Sequence, residues 1–93
     1  MFPAVISKEL SIINRLGLHA RAAAKLVTLA SSFSSSVQVA RHGRSVNGKS
    51  IMGAMMLAAA CGSTITVITE GEDEEAAMEQ IEGLIADRFG ESE

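Results

Sequence analysis

The sequence predicts an α+β fold, an open-faced two-layer β-sandwich with a four-stranded, mostly antiparallel sheet and three helices on one face. The first observation is the order of the elements, which is strand, helix, strand, strand, helix, strand, helix. The second is a pair of strand-like stretches separated by only two turn residues, which is typical of a hairpin. The third is a core that must be aliphatic, since 47% of the residues are apolar and only 3% are aromatic. A chain of 93 residues suits one domain, 1–93.

The first strand and the first helix are predicted from the spacing of their apolar residues. Apolar and polar residues alternate from Val5 to Ile13, which indicates a half-buried strand, although Lys8 interrupts the apolar side. From about Ala20 to Ser31, apolar residues recur at i, i+3, i+4 and i+7, which indicates one face of a helix. That face consists of Ala23, Leu26, Val27 and Ala30.

A β-hairpin is predicted in the middle of the chain. Val37–Arg41 and Arg44–Asn47 are strand-like, and His42-Gly43 between them is a candidate two-residue turn.

A second helix and a last strand follow the hairpin. Ser50 is a good N-cap residue for a helix over Ile51–Ala60, which Gly62 is expected to stop. Alternation then predicts a strand over Ser63–Glu70.

The last predicted helix begins with four acidic residues, Glu72–Glu75, and has Arg88 near its end, both favourable to the helix dipole. Gly90 is expected to end it. Its apolar stripe consists of Ala77, Met78, Ile81, Leu84, Ile85 and Phe89.

Composition excludes several classes of function. No apolar run approaches the ~18 residues of a membrane span, and residues 1–4 lack the start of a secretory signal. A single cysteine, Cys61, cannot form an internal disulfide, so a cytoplasmic protein is expected. Two distant histidines and one cysteine lack the spacing of metal ligands, and no cofactor is expected.

The charge is distributed unevenly along the chain. The net charge is −3, yet seven of the eight Lys and Arg residues precede Ser50 and ten of the eleven acids follow it. A basic first half suits contact with anions such as phosphate. Nucleic acid is not an expected partner, because the basic residues are scattered and the aromatics that stack on bases are missing.

The most informative stretch is Leu16–Leu26, where a strand-like run ends and an alanine-rich helix begins. His19 is expected in the first turn of that helix, with Gly17 allowing a sharp approach. The N–H groups and the dipole at a helix start favour an anion, and Arg21 adds a planar cation that can pair with phosphate oxygens. Neutral imidazole is a nucleophile, so a phosphoryl group carried covalently on His19 is one interpretation. The other is that His19 merely packs or caps the helix start and that Arg21 is solvated.

Asn47–Gly53 is a second stretch of interest. Ser50 at a helix start is a position where a phosphoserine would be electrostatically favourable. The stretch Gly43–Ser50 matches the pattern of a nucleotide-binding P-loop literally. The context argues against that function, because such a loop follows a buried parallel strand in a longer chain.

Four large apolar residues in the second helix are more than a short helix easily buries. They either all face the core or form, at least in part, an exposed and adaptable docking patch. The four residues are Ile51, Met52, Met55 and Met56.

Together, the Gly17–Arg21 and Asn47–Gly53 motifs resemble those of the histidine-containing phosphocarrier (HPr) family, and the resemblance covers essentially the whole chain. It implies that His19 accepts a phosphoryl group through Nδ1 from phosphorylated Enzyme I, with phosphoenolpyruvate as the original donor. His19 would then pass the group to an EIIA-type protein, so the chain would be a carrier rather than an enzyme. One position departs from the family pattern, because Ala22 stands where proline is common, and alanine keeps the backbone N–H.

The resemblance also implies roles for the other residues. Arg21 would stabilise the phosphate, and Ser50 would be the regulatory serine that a dedicated HPr kinase phosphorylates. Partner docking would involve Ile51, Met52 and Met55. The runs Leu18–Lys25 and Met55–Ala60 look like the nitrogen-related branch of the family (NPr, or PtsO), which is regulatory.

Two other functions stay open at this point. The chain could be an HPr-like binding module that regulates its partners, under the control of Ser50 phosphorylation, without carrying phosphate. It could also be a small domain in which His19 and Arg21 hold an anion without a covalent bond.

Overall fold

The predicted architecture is confirmed by a computed structural model, which describes residues 5–93. Residues 1–4, from which the absence of a secretory signal was predicted, lie outside the described part. The strands are β1 (Ile6–Ser11), β2 (Ser36–Arg41), β3 (Arg44–Asn47) and β4 (Thr64–Glu70), and the helices are α1 (Ala20–Ser31), α2 (Ile51–Met56) and α3 (Glu74–Ala86). A short 3-10 turn, Arg88–Gly90, follows α3.

The four strands form one antiparallel sheet in the order β1-β4-β2-β3. Leu10 is opposite Ile65, and Val39 lies between Val67 and Val46. These side chains lie on one face of the sheet because side chains alternate between the two faces of a strand. The helices cover this face.

The core is aliphatic, as predicted. Leu26 and Ala30 of α1 and Ile81 and Ile85 of α3 are buried against the inner strand residues. Among residues 5–93, Phe89 is the largest side chain that is fully buried. Burial of this apolar area is the main favourable contribution to folding.

The predicted hairpin is also confirmed. Its turn residues have positive φ angles, 51° at His42 and 77° at Gly43. Positive φ at both central residues matches the right-handed twist of the paired strands.

The second helix is shorter than the predicted Ile51–Ala60. The helix ends at Met56, and Ala58 adopts a left-handed conformation with φ of 51°. Ala59 then turns inward, is buried, and accepts a hydrogen bond from Leu18 N at 2.8 Å. Tertiary contacts with the loop before α1 therefore override the helix propensity of this alanine run.

The loop between β1 and α1 is hydrogen-bonded to the turn that precedes β4. Ile12 N donates to Ser63 O at 2.8 Å, and Gly62 N donates to Ile12 O at 2.8 Å. Gly17 has a φ of 71°, and a Cβ atom there would lie 2.6 Å from Ala59 O. Glycine is thus required for the chain to reach α1 along this path.

Candidate functional site

His19 lies at the N-terminus of α1, where the sequence predicts it. It is the N-cap residue, with extended backbone angles (φ −77°, ψ 179°), and its side chain makes no capping hydrogen bond. The first intrahelical bond runs from Ala23 N to His19 O at 2.8 Å. The backbone N–H groups of residues 20–22 therefore have no acceptor within the helix, so they give the site a positive local potential.

Glu91 contacts His19, and sequence reasoning did not predict this contact. Its Oε2 lies 2.5 Å from Nε2 of His19, and its Oε1 accepts a hydrogen bond from Nδ2 of Asn14 at 3.0 Å. The pKa of Glu91 is lowered, first by the hydrogen bond from Asn14 and then by that from His19. An ionised carboxylate only accepts hydrogen bonds, so this partner places a proton on Nε2, and in the neutral ring it leaves the lone pair on Nδ1.

The C-terminal segment reaches the site because two contacts fix its path. Phe89 is buried, and its carbonyl oxygen accepts a hydrogen bond from Nζ of Lys25 in α1 at 2.7 Å. Arg15 N donates to Glu93 O at 2.8 Å. Glu91 lies 72 positions after His19, between Gly90 and Ser92, so no local pattern in the sequence signals their contact.

An open cavity of about 630 Å³ lies beside His19. It is lined by Arg15 in the loop before α1 and by Arg21 in the first turn of α1, together with Leu16 and Glu91. Arg15 forms an exposed ion pair with Glu93 at 3.0 Å. Arg21 forms no salt bridge within residues 5–93, so its guanidinium is available to an anion in the cavity.

The residue that departs from the family pattern, Ala22, is fully buried in α1. The helix begins normally there, as expected for alanine at this position.

The predicted N-cap role of Ser50 is confirmed. Its hydroxyl oxygen accepts a hydrogen bond from Gly53 N at 3.1 Å. The residues between the two glycines of the literal P-loop match form β3, paired with β2. The match therefore falls on a hairpin strand rather than on a loop that could cradle a nucleotide.

The large apolar residues of α2 do not face the core. Met52 is 73% exposed, and the other three are exposed as well: Ile51, Met55 and Met56. The bond between Leu18 N and Ala59 O joins the chain just after α2 to the residue before His19. The exposed patch of α2 therefore lies near the loop that precedes His19, where Leu16 is also exposed.

His42 and Cys61 are exposed. Among residues 5–93, no three His, Cys, Asp or Glu side chains are grouped as a metal site. Over the same range, the helices are too short or too polar to cross a bilayer.

The fold and the site define a class of protein: a small open-faced β-sandwich that presents a histidine at the start of a helix, beside a cation and an exposed apolar patch. Comparison with known proteins identifies the family. Residues 6–87 match the family described as "PTS HPr component phosphorylation site".

Relatives match over nearly their whole length. The chain is 56% identical over 89 residues to the phosphocarrier protein HPr of Cupriavidus necator, which covers 96% of this chain and 100% of that protein. It is 51% identical over 89 residues to the phosphocarrier protein HPr of Neisseria meningitidis, with the same coverage of both chains. The crystal structure of HPr-C-His from Thermoanaerobacter tengcongensis superposes with a TM-score of 0.91 at 42% identity, over 95% of this chain and 99% of that one. The chain belongs to the HPr family of phosphocarrier proteins of the phosphotransferase system.

Proposed function

We propose that this chain, acting as one domain of 93 residues, carries a phosphoryl group on Nδ1 of His19. The observation that carries the proposal is the geometry of the ring. Nε2 is engaged by Glu91 at 2.5 Å, so Nδ1 is the nitrogen with a free lone pair, at the start of α1. The group would come from phosphorylated Enzyme I and go to an EIIA-type protein, and the carrier would work in the cytoplasm.

The bond-making step uses only the His19 ring of this chain as the nucleophile. The Nδ1 lone pair of His19 attacks the phosphorus of the donor's phosphohistidine, and a new N–P bond forms. The donor's N–P bond breaks, and its electron pair returns to the donor nitrogen. The return step to the acceptor histidine is the same reaction with the roles exchanged, so the chain ends unchanged.

Arg21 supports this function as the cation that stabilises the transferred group. It lines the cavity beside His19, and the N–H groups of the first turn of α1 point toward the same anion. Stabilisation by fixed donors and cations is the principal means by which proteins accelerate phosphoryl transfer.

Mass spectrometry tests the proposal directly. The protein is incubated with phosphoenolpyruvate and an active Enzyme I, and its intact mass is measured at neutral pH. We expect a gain of one acid-labile phosphate, which His19→Ala abolishes. His42→Asn is the matched control, because His42 is exposed in a turn and asparagine tolerates its positive φ. Retention of the phosphate by His19→Ala would refute the assignment.

We further propose that partners dock on Ile51, Met52 and Met55 and that phosphorylation of Ser50 by an HPr kinase regulates this docking. Ser50 adjoins Ile51, so a phosphate would add about two negative charges at the edge of the exposed apolar patch. We expect Ser50→Asp to bind Enzyme I more weakly than Ser50→Ala, as measured by calorimetry. Equal affinities for the two variants would contradict this regulation.

We also propose that the chain works in the regulatory, nitrogen-related branch. The support is the resemblance of the runs Leu18–Lys25 and Met55–Ala60 to that branch. Phosphorylation rates with the Enzyme I of each branch test it, and faster acceptance from the sugar-branch enzyme would argue against it. No incorporation from either active enzyme would favour the binding module that carries no phosphate.

A further inference from the structure

We propose that Glu91 is a positioning residue for phosphoryl transfer, which fixes the His19 ring with its proton on Nε2 and stabilises the charge that the ring gains at Nδ1. This inference rests on the proposed function of His19 and deepens it. It assigns a role to the C-terminal segment, which lies across the site.

The first support is a continuous hydrogen-bond chain from a buried residue to the ring. Asn14 is 0% exposed, and its Nδ2 donates to Gly17 O at 2.7 Å and to Glu91 Oε1 at 3.0 Å. Both donor positions of the amide are thus used, so Asn14 holds the carboxylate in one orientation. The other carboxylate oxygen meets Nε2 of His19 at 2.5 Å.

The second support is burial. The side chain of Glu91 is 15% exposed and that of His19 is 27% exposed, whereas the neighbouring Arg15–Glu93 pair is 74% and 68% exposed. An interaction between partly buried groups is screened by water and salt much less than an exposed one. Of the two carboxylates in this segment, Glu91 is therefore the one that can act strongly on the ring.

The third support is the chemistry of the transfer. A neutral His19 with its proton on Nε2 attacks through Nδ1, so the ring acquires a positive charge as the N–P bond forms. No proton has to leave during this step. The Glu91 carboxylate accepts a hydrogen bond from Nε2–H throughout the step. This interaction becomes stronger as the positive charge develops on the ring, which lowers the barrier.

The charged groups around the pair come from three segments. Arg15 lies in the loop before α1, Arg21 and Lys25 lie in α1, and Glu93 lies in the C-terminal segment. Lys25 helps to keep Glu91 ionised by lowering its pKa, although it does so less than the hydrogen bonds from Asn14 and His19.

The segment is also held without Glu91, so the residue can be changed without releasing the chain. Lys25 Nζ binds Phe89 O at 2.7 Å, and Arg15 N binds Glu93 O at 2.8 Å. Glu91→Ala removes the acceptor, whereas Glu91→Gln keeps an acceptor oxygen but removes the charge. Glu79→Gln is the matched control, because it removes an exposed carboxylate on α3 that does not line the cavity beside His19.

Two readouts decide the proposal. The first is the rate of phosphoryl acceptance from phosphorylated Enzyme I. A charge-assisted hydrogen bond of this kind predicts a rate about 10- to 100-fold lower in Glu91→Ala, a smaller loss in Glu91→Gln and none in Glu79→Gln. The second is the ¹⁵N NMR spectrum of the His19 ring at neutral pH, where Glu91→Ala alone should lose the dominant Nε2–H tautomer.

A double-mutant cycle tests the part played by Asn14. Asn14→Ala should slow acceptance in the wild-type background and cause no further loss in the Glu91→Ala background. If Asn14→Ala fails to fold, the two Glu91 variants still decide the proposal.

Several results would overturn it. Faster acceptance by Glu91→Ala would make the contact autoinhibitory, and an unchanged rate with an unchanged tautomer would make Glu91 a bystander. If the wild-type chain accepts no phosphate, the proposed function fails, while the NMR spectra still determine whether Glu91 sets the tautomer.

Discussion

Replacement of Gly17 by alanine should destabilise the protein far more than the same replacement at Gly62. Both glycines have a positive φ, 71° and 91°, so each substitution carries a conformational cost of about 1–2 kcal/mol. At Gly62 nothing lies within 4 Å of the new Cβ. At Gly17 the Cβ would lie 2.6 Å from Ala59 O and 2.8 Å from the Cα of Ala60.

The extra cost at Gly17 follows from what the Cβ meets. Both neighbours are backbone atoms, so no side-chain rotation relieves the contact, and the loop must separate from Ala59. The 2.8 Å bond from Leu18 N to Ala59 O would then be lost, and an unsatisfied buried group costs about 1–3 kcal/mol. We therefore expect a total loss of about 2–5 kcal/mol for Gly17→Ala, against about 1–2 kcal/mol for Gly62→Ala.

Urea unfolding of the two variants measures the difference. Small domains usually unfold in a two-state manner, so midpoint and slope give the free energy of unfolding. The thermal midpoint should show the same order, because about 1 kcal/mol corresponds to roughly 4–8 °C in a domain of this size. Equal losses in the two variants would refute the role of the close approach between Gly17 and Ala59.

Three further variants test the other structural features. Ser50→Ala should cost about 1 kcal/mol of unfolding free energy, because it removes the cap on Gly53 N; a loss under about 0.3 kcal/mol would contradict a stabilising cap. In Asp73, hydrogen bonds, first of all from the Ser35 hydroxyl, lower the pKa from 3.8 to about 2. The folded state therefore binds the Asp73 carboxyl proton less tightly than the unfolded state does. The ionised carboxylate stabilises the protein at pH values above the unfolded pKa of 3.8, and this stabilisation is lost as the pH falls from 3.8 toward about 2. Asp73→Asn should therefore flatten the loss of stability over that range in acid unfolding curves, and an unaltered curve would exclude this contribution. Met52→Lys, at a 73% exposed position, should change the free energy of unfolding by less than about 0.5 kcal/mol but weaken the binding of Enzyme I measured by calorimetry. Gln80→Lys on α3 is the control and should leave both the stability and the affinity unchanged. Equal affinity of the two variants would remove Met52 from the docking surface.

Local patterns in the sequence predict most of the secondary structure. The helical spacing from Ala20 to Ser31 fixes α1 because its apolar face packs on a sheet, and Ala23, Leu26, Val27 and Ala30 are all buried there. The hairpin follows from His42-Gly43, whose positive φ angles suit the turn. In both cases, the residues that predict the element belong to the element itself.

Two features depend on contacts that local patterns do not contain. The alanines after Met56 have high helix propensity, yet Ala59 leaves the helix to bind Leu18 N, and the competing contact lies about forty positions earlier. Glu91 stands among exposed polar residues in the sequence, and it reaches His19 because Phe89 is buried, Lys25 binds Phe89 O and Arg15 N binds Glu93 O. The histidine and the arginine of the candidate site are therefore predictable from the sequence, whereas the carboxylate beside them is not.

The most direct test of the account is heteronuclear NMR of the phosphorylated protein, with ³¹P and ¹⁵N labels read together. We predict one phosphorus bonded to Nδ1 of His19, with the proton retained on Nε2 beside Glu91. Phosphorus on Nε2, on His42 or on no histidine after treatment with an active Enzyme I would contradict it.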